Sequence, residues 1–134
     1  MKIRLIALAA GAALIGAGVA TASGSITGIY VTTIKGKTPS SLNGDWAIRF
    51  TKSGEYEIQK HVGNGGQLLV TGHGKLAGST FTFQKETGPA ACKGSQAAGR
   101  YSWSLKGKTL KLTRFSDKCV VRRTVLGGTF TKVR

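Results

Sequence analysis

Short runs in which apolar and polar residues alternate are the feature that most constrains the fold of this chain. Trp46, Ile48 and Phe50 are each separated by one residue, and the residue before Phe50 is a charged arginine. A period of two is typical of a β-strand with one buried and one solvated face, as in antiparallel sheets. The pattern recurs at Tyr56 and Ile58, Leu68 and Val70, Phe81 and Phe83, Tyr101, Trp103 and Leu105, and Leu110 and Leu112.

Turn residues separate the alternating runs, and each turn is short enough for a hairpin. Consecutive hairpins indicate an up-and-down order, and closing the sheet removes the exposed edges that an open sheet would leave. We therefore predict an all-β fold, a single small antiparallel up-and-down β-barrel of seven or eight strands. The turns are Lys52-Ser53-Gly54, Gly63-Asn64-Gly65-Gly66, Ala77-Gly78-Ser79 and Lys106-Gly107-Lys108.

Two segments do not follow the strand pattern. Residues 39–42 fit one helical turn, with Thr38 able to cap it and Pro39 at its first position. Residues 119–126 fit either a strand or a short helix, and the sequence does not decide between them.

The first 22 residues are typical of a secretory signal peptide. Lys2 and Arg4 form a basic start, an apolar stretch follows, and an Ala-Thr-Ala sequence at 20–22 offers a cleavage site with small residues. The apolar stretch is shorter than the roughly 20 residues that a membrane-spanning helix needs. We therefore predict that the signal peptide is residues 1–22, that residues 23–134 form the barrel domain, and that the protein is secreted or extracytoplasmic.

The cysteine content is consistent with export. Cys92 and Cys119 are the only two cysteines, and both follow the predicted signal peptide. In an oxidising compartment an even pair predicts a disulfide, which would stabilise the fold by about 3.5 kcal/mol on the chain-entropy model. The two histidines, His61 and His73, lie far from both cysteines in the sequence, so we expect no metal site and no cofactor.

Nothing in the sequence assembles a catalytic site. A serine triad needs a histidine with a carboxylate beside it, and the chain has two histidines and five acidic residues in all. We interpret His73, between Gly72 and Gly74, as an ordinary strand residue. Asp117, two residues before Cys119, is expected to cap its own backbone. We therefore predict that the protein is not an enzyme and has no catalytic residues.

The charge of the chain is strongly positive. Without Lys2 and Arg4, 18 basic residues stand against 5 acidic ones, a net charge of +13. Such a charge attracts polyanions, which outside a cell include anionic envelope polymers and lipid headgroups. The basic residues are spread over almost every segment, which favours a solubilising role over a dedicated polyanion site. We expect a monomer and no specific nucleic-acid partner.

With these features the chain resembles the calycin group of barrels, most closely the small secreted lipocalin-like domains of bacteria. The late segments 88–92, 99–103 and 117–122 are similar to that secreted group. In lipocalins a tryptophan at the closed end of the barrel carries an arginine across its ring, so the resemblance implies that Trp46 pairs with a late arginine. The resemblance is carried by the turn at 39–42, by Gly44-Asp45-Trp46 and by Arg114, Arg122 and Arg123.

The resemblance also implies a non-catalytic binding protein that holds a small apolar or amphipathic ligand inside the barrel. An eight-stranded barrel either holds one small ligand or is filled by its own side chains. Small residues at Ala47, Thr71, Gly72 and Gly74 would leave room for a cavity with aromatic walls. The predicted ligand-binding residues are Trp46, Tyr56, Phe81, Phe83, Tyr101 and Trp103.

Two alternatives remain open at this point. The outer surface could bind envelope polyanions through its positive charge. Otherwise the protein could inhibit a protease through a protruding loop, for which residues 86–98 are the longest candidate.

Overall fold

The computed structural model describes residues 25–134, so the predicted signal peptide lies outside the described residues. Nine strands form one antiparallel sheet in the order β4-β3-β2-β1-β9-β8-β7-β6-β5. The strands are β1 (Gly28–Ile34), β2 (Gly44–Phe50), β3 (Glu55–Val62), β4 (Gly65–His73), β5 (Lys75–Ala77), β6 (Thr80–Phe83), β7 (Gly99–Lys106), β8 (Thr109–Asp117) and β9 (Thr129–Lys132).

The predicted all-β, up-and-down barrel is confirmed, with one strand more than expected. The pairing of β1 with β9 joins the first strand to the last. On the far side, the segment after β6 continues the sheet: Thr71 and Thr87 exchange two backbone hydrogen bonds of 2.9 and 2.8 Å. The barrel is therefore nearly closed. The additional strand is β5, whose three residues are all exposed and carry no apolar alternation.

Residues 119–126, which the sequence left undecided, form a helix, α1 (Val120–Leu126). Arg122, Val125 and Leu126 are buried, a spacing of three and four residues that places them on one helical face. A turn of 3-10 helix forms at Ser40–Leu42, as predicted, but Pro39 occupies the capping position and no side chain caps the turn. A second such turn lies at Gly94–Gln96. None of the helices within residues 25–134 is long and apolar enough to cross a membrane.

Aromatic rings fill the middle of the barrel. Phe50, Tyr56, Phe81, Phe83 and Tyr101 are each no more than 1% exposed. Neighbouring rings of this group lie 4.7 to 6.0 Å apart between centroids, mostly edge to face, which is the arrangement that aromatic quadrupoles favour.

The small residues that were expected to leave room do not open a cavity among these rings. A Cβ atom on Gly72 would collide with the ring of Tyr56, and one on Gly74 would collide with the ring of Phe81. The space that the two glycines provide is therefore already occupied. Ala47 and Thr71 alternate with buried neighbours and lie on the outer face of the sheet.

The predicted disulfide between Cys92 and Cys119 is confirmed. The two Cα atoms lie 6.1 Å apart. Cys119 immediately precedes α1, and Cys92 lies in the connection between β6 and β7. The bond therefore ties that connection to the start of the helix.

Candidate functional site

The structure brings four of the six predicted ligand-binding residues together. Tyr56, Phe81, Phe83 and Tyr101 contact one another in the barrel interior. At these separations the rings leave no space for a ligand between them. The contact of these four residues with a ligand therefore stays a prediction. The packing corresponds to a barrel filled by its own side chains, the alternative to a ligand cavity that the sequence left open.

The two tryptophans belong to or pack against the same core, but within residues 25–134 neither forms a ring pair with this group. Trp46 is buried, and its Nε1 donates a hydrogen bond of 2.8 Å to the Leu42 carbonyl. The cation over its ring is Lys60, with Nζ 5.8 Å from the centroid, rather than one of the late arginines. Trp103 is partly exposed, and its buried Nε1 has no hydrogen-bond partner among residues 25–134.

Arg122 is instead the centre of a buried ion-pair cluster. Its Nη1 lies 3.0 Å from a Glu86 carboxylate oxygen and its Nε lies 2.8 Å from one of Asp117. The side chains of all three residues are no more than 2% exposed. The Arg122 guanidinium also donates hydrogen bonds to the carbonyls of Gln96 and Ala97. We call Arg122, Glu86 and Asp117 the Arg122 cluster.

Each carboxylate of the Arg122 cluster also accepts hydrogen bonds from a tyrosine and from the backbone of a bridged cysteine. For Asp117 these bonds come from the Tyr101 hydroxyl at 2.7 Å and from the N–H of Cys119 at 3.0 Å. The predicted backbone capping by Asp117 is thus observed as one part of a larger network. The Glu86 carboxylate accepts bonds from the Tyr56 hydroxyl at 2.6 Å and from the N–H of Cys92 at 2.8 Å.

The pKa values in the network follow from this arrangement. Burial alone would raise the pKa of Asp117, but hydrogen bonds from Arg122, Tyr101 and the Cys119 N–H outweigh it and lower that pKa. Burial, and then the bonded carboxylates, raise the pKa values of Tyr56 and Tyr101. The tyrosines therefore stay neutral donors while Asp117 stays ionised, and each hydrogen bond of the network keeps its donor and its acceptor.

An open groove lies beside the short pairing of β1 with β9. Strand β9 pairs with β1 only at Tyr30 and Val31. Beyond that point residues 32–34 of β1 still pair with β2, but on their other side a groove of about 750 Å³ separates them from α1 and residues 127–128. We call it the basic groove. Its lining includes Lys35, Lys37, Arg114, Arg123, Thr124 and Gly128.

The basic groove has four cationic side chains and no acidic one in its lining. Lys35 and Lys37 follow β1, Arg114 belongs to β8, and Arg123 belongs to α1. Within residues 25–134, no carboxylate lies within 4.0 Å of the charged nitrogens of these four side chains. The groove therefore concentrates positive charge that no ion pair among the described residues neutralises.

Acidic residues are distributed unevenly over the molecule. Two of the five, Glu86 and Asp117, are buried in the Arg122 cluster. The other three, Asp45, Glu55 and Glu57, all lie on β2 and β3. Residues 87–134 contain 11 basic residues and a single acid, the buried Asp117. The surface of that part of the chain is therefore exclusively cationic in its charged groups.

The other candidate residues occupy ordinary surface positions. His73 is exposed near the end of β4, as expected for a strand residue, and His61 is exposed on β3. The segment 86–98 does not protrude freely, because Glu86 and Cys92 are bonded at its start and Arg122 holds two of its carbonyls. In the described part of the chain, no group of three or more His, Cys, Asp or Glu side chains is placed to hold a metal ion.

Sequence reasoning did not identify Lys35, Lys37 or Arg123 as parts of one site. The near absence of acidic residues after Glu86 could have pointed to Arg114 and Arg123. Lys35 and Lys37 precede Glu86, and no signal in the sequence connects them to the two arginines. Comparison of the chain with protein-family models, with curated proteins and with solved structures found no match.

Proposed function

We propose that this chain is an exported, non-catalytic binding module of lipocalin-like type that holds an anionic polymer in the basic groove. The observation that carries the proposal is the convergence of Lys35, Lys37, Arg114 and Arg123 on one concave surface with no acid in the lining. Clefts lined by one sign of charge focus the electric field and raise the local concentration of the opposite charge. Anionic envelope polymers carry that charge outside a cell.

The packing of the barrel interior favours the outer groove over an internal ligand. The rings of Tyr56, Phe81, Phe83 and Tyr101 occupy the volume that a small apolar ligand would need. A small internal gap between Trp46 and Arg122 has a volume of about 10 Å³, which is about enough for a single water molecule. The basic groove is many times larger and opens to solvent.

The proposed extracytoplasmic location is supported by the disulfide. Disulfides persist in oxidising compartments and are rare where thiols are kept reduced. Both described cysteines are paired. The residues that would carry an export signal are 1–22, whose basic start, apolar stretch and small-residue end fit such a signal.

The proposal is tested by measuring the binding of fluorescein-labelled polyphosphate, by fluorescence anisotropy, between about 50 and 200 mM salt. The groove variant carries glutamine in place of Lys35, Lys37, Arg114 and Arg123. It should bind at least about tenfold more weakly at low salt, and the slope of log K against log salt should shrink by about 3, because four contacts no longer release counterions.

The matched control removes the same number of charges elsewhere. Lys52, Lys75, Lys93 and Lys106 are all exposed and none of them lines the basic groove. With glutamine at these four positions, binding should remain within about threefold of the unchanged protein, since distant exposed charges are screened. Equal weakening of the groove variant and the control would show that net charge alone attracts the polymer, and the groove proposal would fail.

A further inference from the structure

A second groove continues the basic groove along the outer face of β1. It has a volume of about 640 Å³ and shares Thr32 and Thr33 with the basic groove. Its lining crosses β1, β2 and β3 and reaches the start of β9 at Thr129. A linear ligand in the basic groove can therefore extend into this second space. We call it the mixed groove.

The mixed groove differs from the basic groove in its chemistry. Its polar side chains include a carboxylate, an amide and an imidazole, from Asp45, Gln59 and His61, with Val31 and Ala47 between them. The Asp45 carboxylate is held in place because its Oδ1 accepts a 2.7 Å hydrogen bond from the Thr33 hydroxyl. A fixed carboxylate beside an amide offers hydrogen bonds to hydroxyl groups, next to small apolar surfaces that suit a ring face.

Asp45 constrains what can lie in the mixed groove. A polymer with a charge on every unit would place an anion beside this carboxylate, and like charges repel. Nucleobases would gain little from stacking there, because Trp46 is only 3% exposed and the imidazole of His61 is the single exposed ring among the described residues of the lining. The unit in the mixed groove must therefore be neutral and rich in hydroxyl groups, while its neighbour in the basic groove is anionic.

We infer that the ligand is an acidic glycan in which anionic sugars alternate with neutral ones. The inference rests on the proposed function and names the class of polymer that the same surface selects. An anionic sugar binds Lys35, Lys37, Arg114 and Arg123. The adjoining neutral sugar donates hydroxyl hydrogen bonds to the Asp45 carboxylate.

The test uses two probes, a hyaluronan decasaccharide, whose carboxylated and neutral sugars alternate, and a polyphosphate of the same number of charges. Both are titrated into the unchanged protein, into Asp45→Asn and into Glu55→Gln. Glu55 is an exposed acid on the adjacent strand and lines neither groove, so its substitution removes the same charge without touching the proposed sugar site.

Asp45→Asn should weaken hyaluronan binding by about tenfold, the usual effect of losing hydrogen bonds to a charged group. The same substitution should leave polyphosphate binding unchanged or tighten it, because a repulsive charge is removed. Glu55→Gln should change the binding of neither probe by more than about twofold, as is usual for an exposed charge.

Two other results distinguish a failure of the glycan inference from a failure of the proposed function. If Asp45→Asn tightens both probes, or fails to weaken hyaluronan, the alternating-glycan inference is wrong while the basic groove stands as an anion site. If neither probe binds at low salt, or the four-residue groove variant binds polyphosphate as the unchanged protein does, the proposed function itself is wrong and the inference falls with it.

Discussion

Arg122 and Arg123 are neighbours on α1, yet they lie in opposite environments. Arg122 is 3% exposed and binds two carboxylates, whereas Arg123 lines the basic groove beside three other cations. A helix turns by about 100° per residue, so adjacent side chains point to different surroundings. Identical side chains therefore serve opposite purposes here, one fixing the fold and the other remaining available to a ligand.

The largest expected effect on stability follows from removing the guanidinium of Arg122 from its buried ion pairs. Arg122→Met leaves two buried carboxylates without their cation, and the loss of one partner of a buried ion pair costs about 3 to 5 kcal/mol. Arg123→Met, the matched change one residue later, should alter the free energy of unfolding by less than about 0.5 kcal/mol. Urea denaturation of both variants at neutral pH measures the difference.

Arg122→Lys provides a milder version of the same experiment. It keeps the charge but loses the planar fork that reaches both carboxylates, so its stability should fall between those of the unchanged protein and Arg122→Met. Similar losses for Arg122→Met and Arg123→Met would contradict the division of roles between the two arginines.

Removing the disulfide is a second test of whether the buried Arg122 cluster and the basic groove have separate roles. Replacing Cys92 and Cys119 by alanine should lower the free energy of unfolding by about 3.5 kcal/mol, because the unfolded chain loses a closed loop. At temperatures where this variant stays folded, its affinity for polyphosphate should stay within about twofold of the original. A larger loss of affinity would mean that the bridged end of the barrel also shapes the basic groove.

The smallest expected effect is the loss of stability at acidic pH. The pKa of Asp117 is lowered in the folded protein, so its contribution to stability is present above the ordinary aspartate pKa of about 4 and is lost as the pH falls further. The free energy of unfolding should therefore decline below about pH 4, and Asp117→Asn should make that decline shallower. Urea titrations from neutral to acidic pH measure it, and an unchanged slope would place the acid sensitivity elsewhere.

Most of the barrel was predictable because its strands bury one face. Trp46, Ile48 and Phe50 alternate with more exposed residues because successive side chains of a β-strand point to opposite faces of the sheet. Strand β5 escaped prediction because its residues are all exposed. Residues 119–126 were undecided because Val120 and Val121 favour a strand while the buried spacing of α1 is helical.

The candidate site was much less predictable. Charged residues are rarely buried unless they are paired, and Glu86 lies far from Asp117 and Arg122 in the sequence, so nothing local indicated the cluster. The basic groove depends on where β9 begins to pair with β1, which is a tertiary property. The alternation of apolar and polar residues within a strand is a local property of the sequence and can be read from it. The Arg122 cluster and the basic groove each join segments that are distant in the sequence, so they could not be predicted in this way.

The confinement of surface acids to β2 and β3 gives the molecule an electric dipole moment. In the sheet, β1 and β9 separate these strands from β7 and β8. Arg100 on β7 and Lys111 on β8 are exposed, and neither of these two strands has an acidic residue at its surface. Near a negatively charged surface the barrel would rotate, before any contact forms, so that the basic groove faces that surface. Such orientation raises the rate of productive encounters more than the final affinity, so under the proposed function the charge distribution governs how quickly the protein finds an anionic polymer.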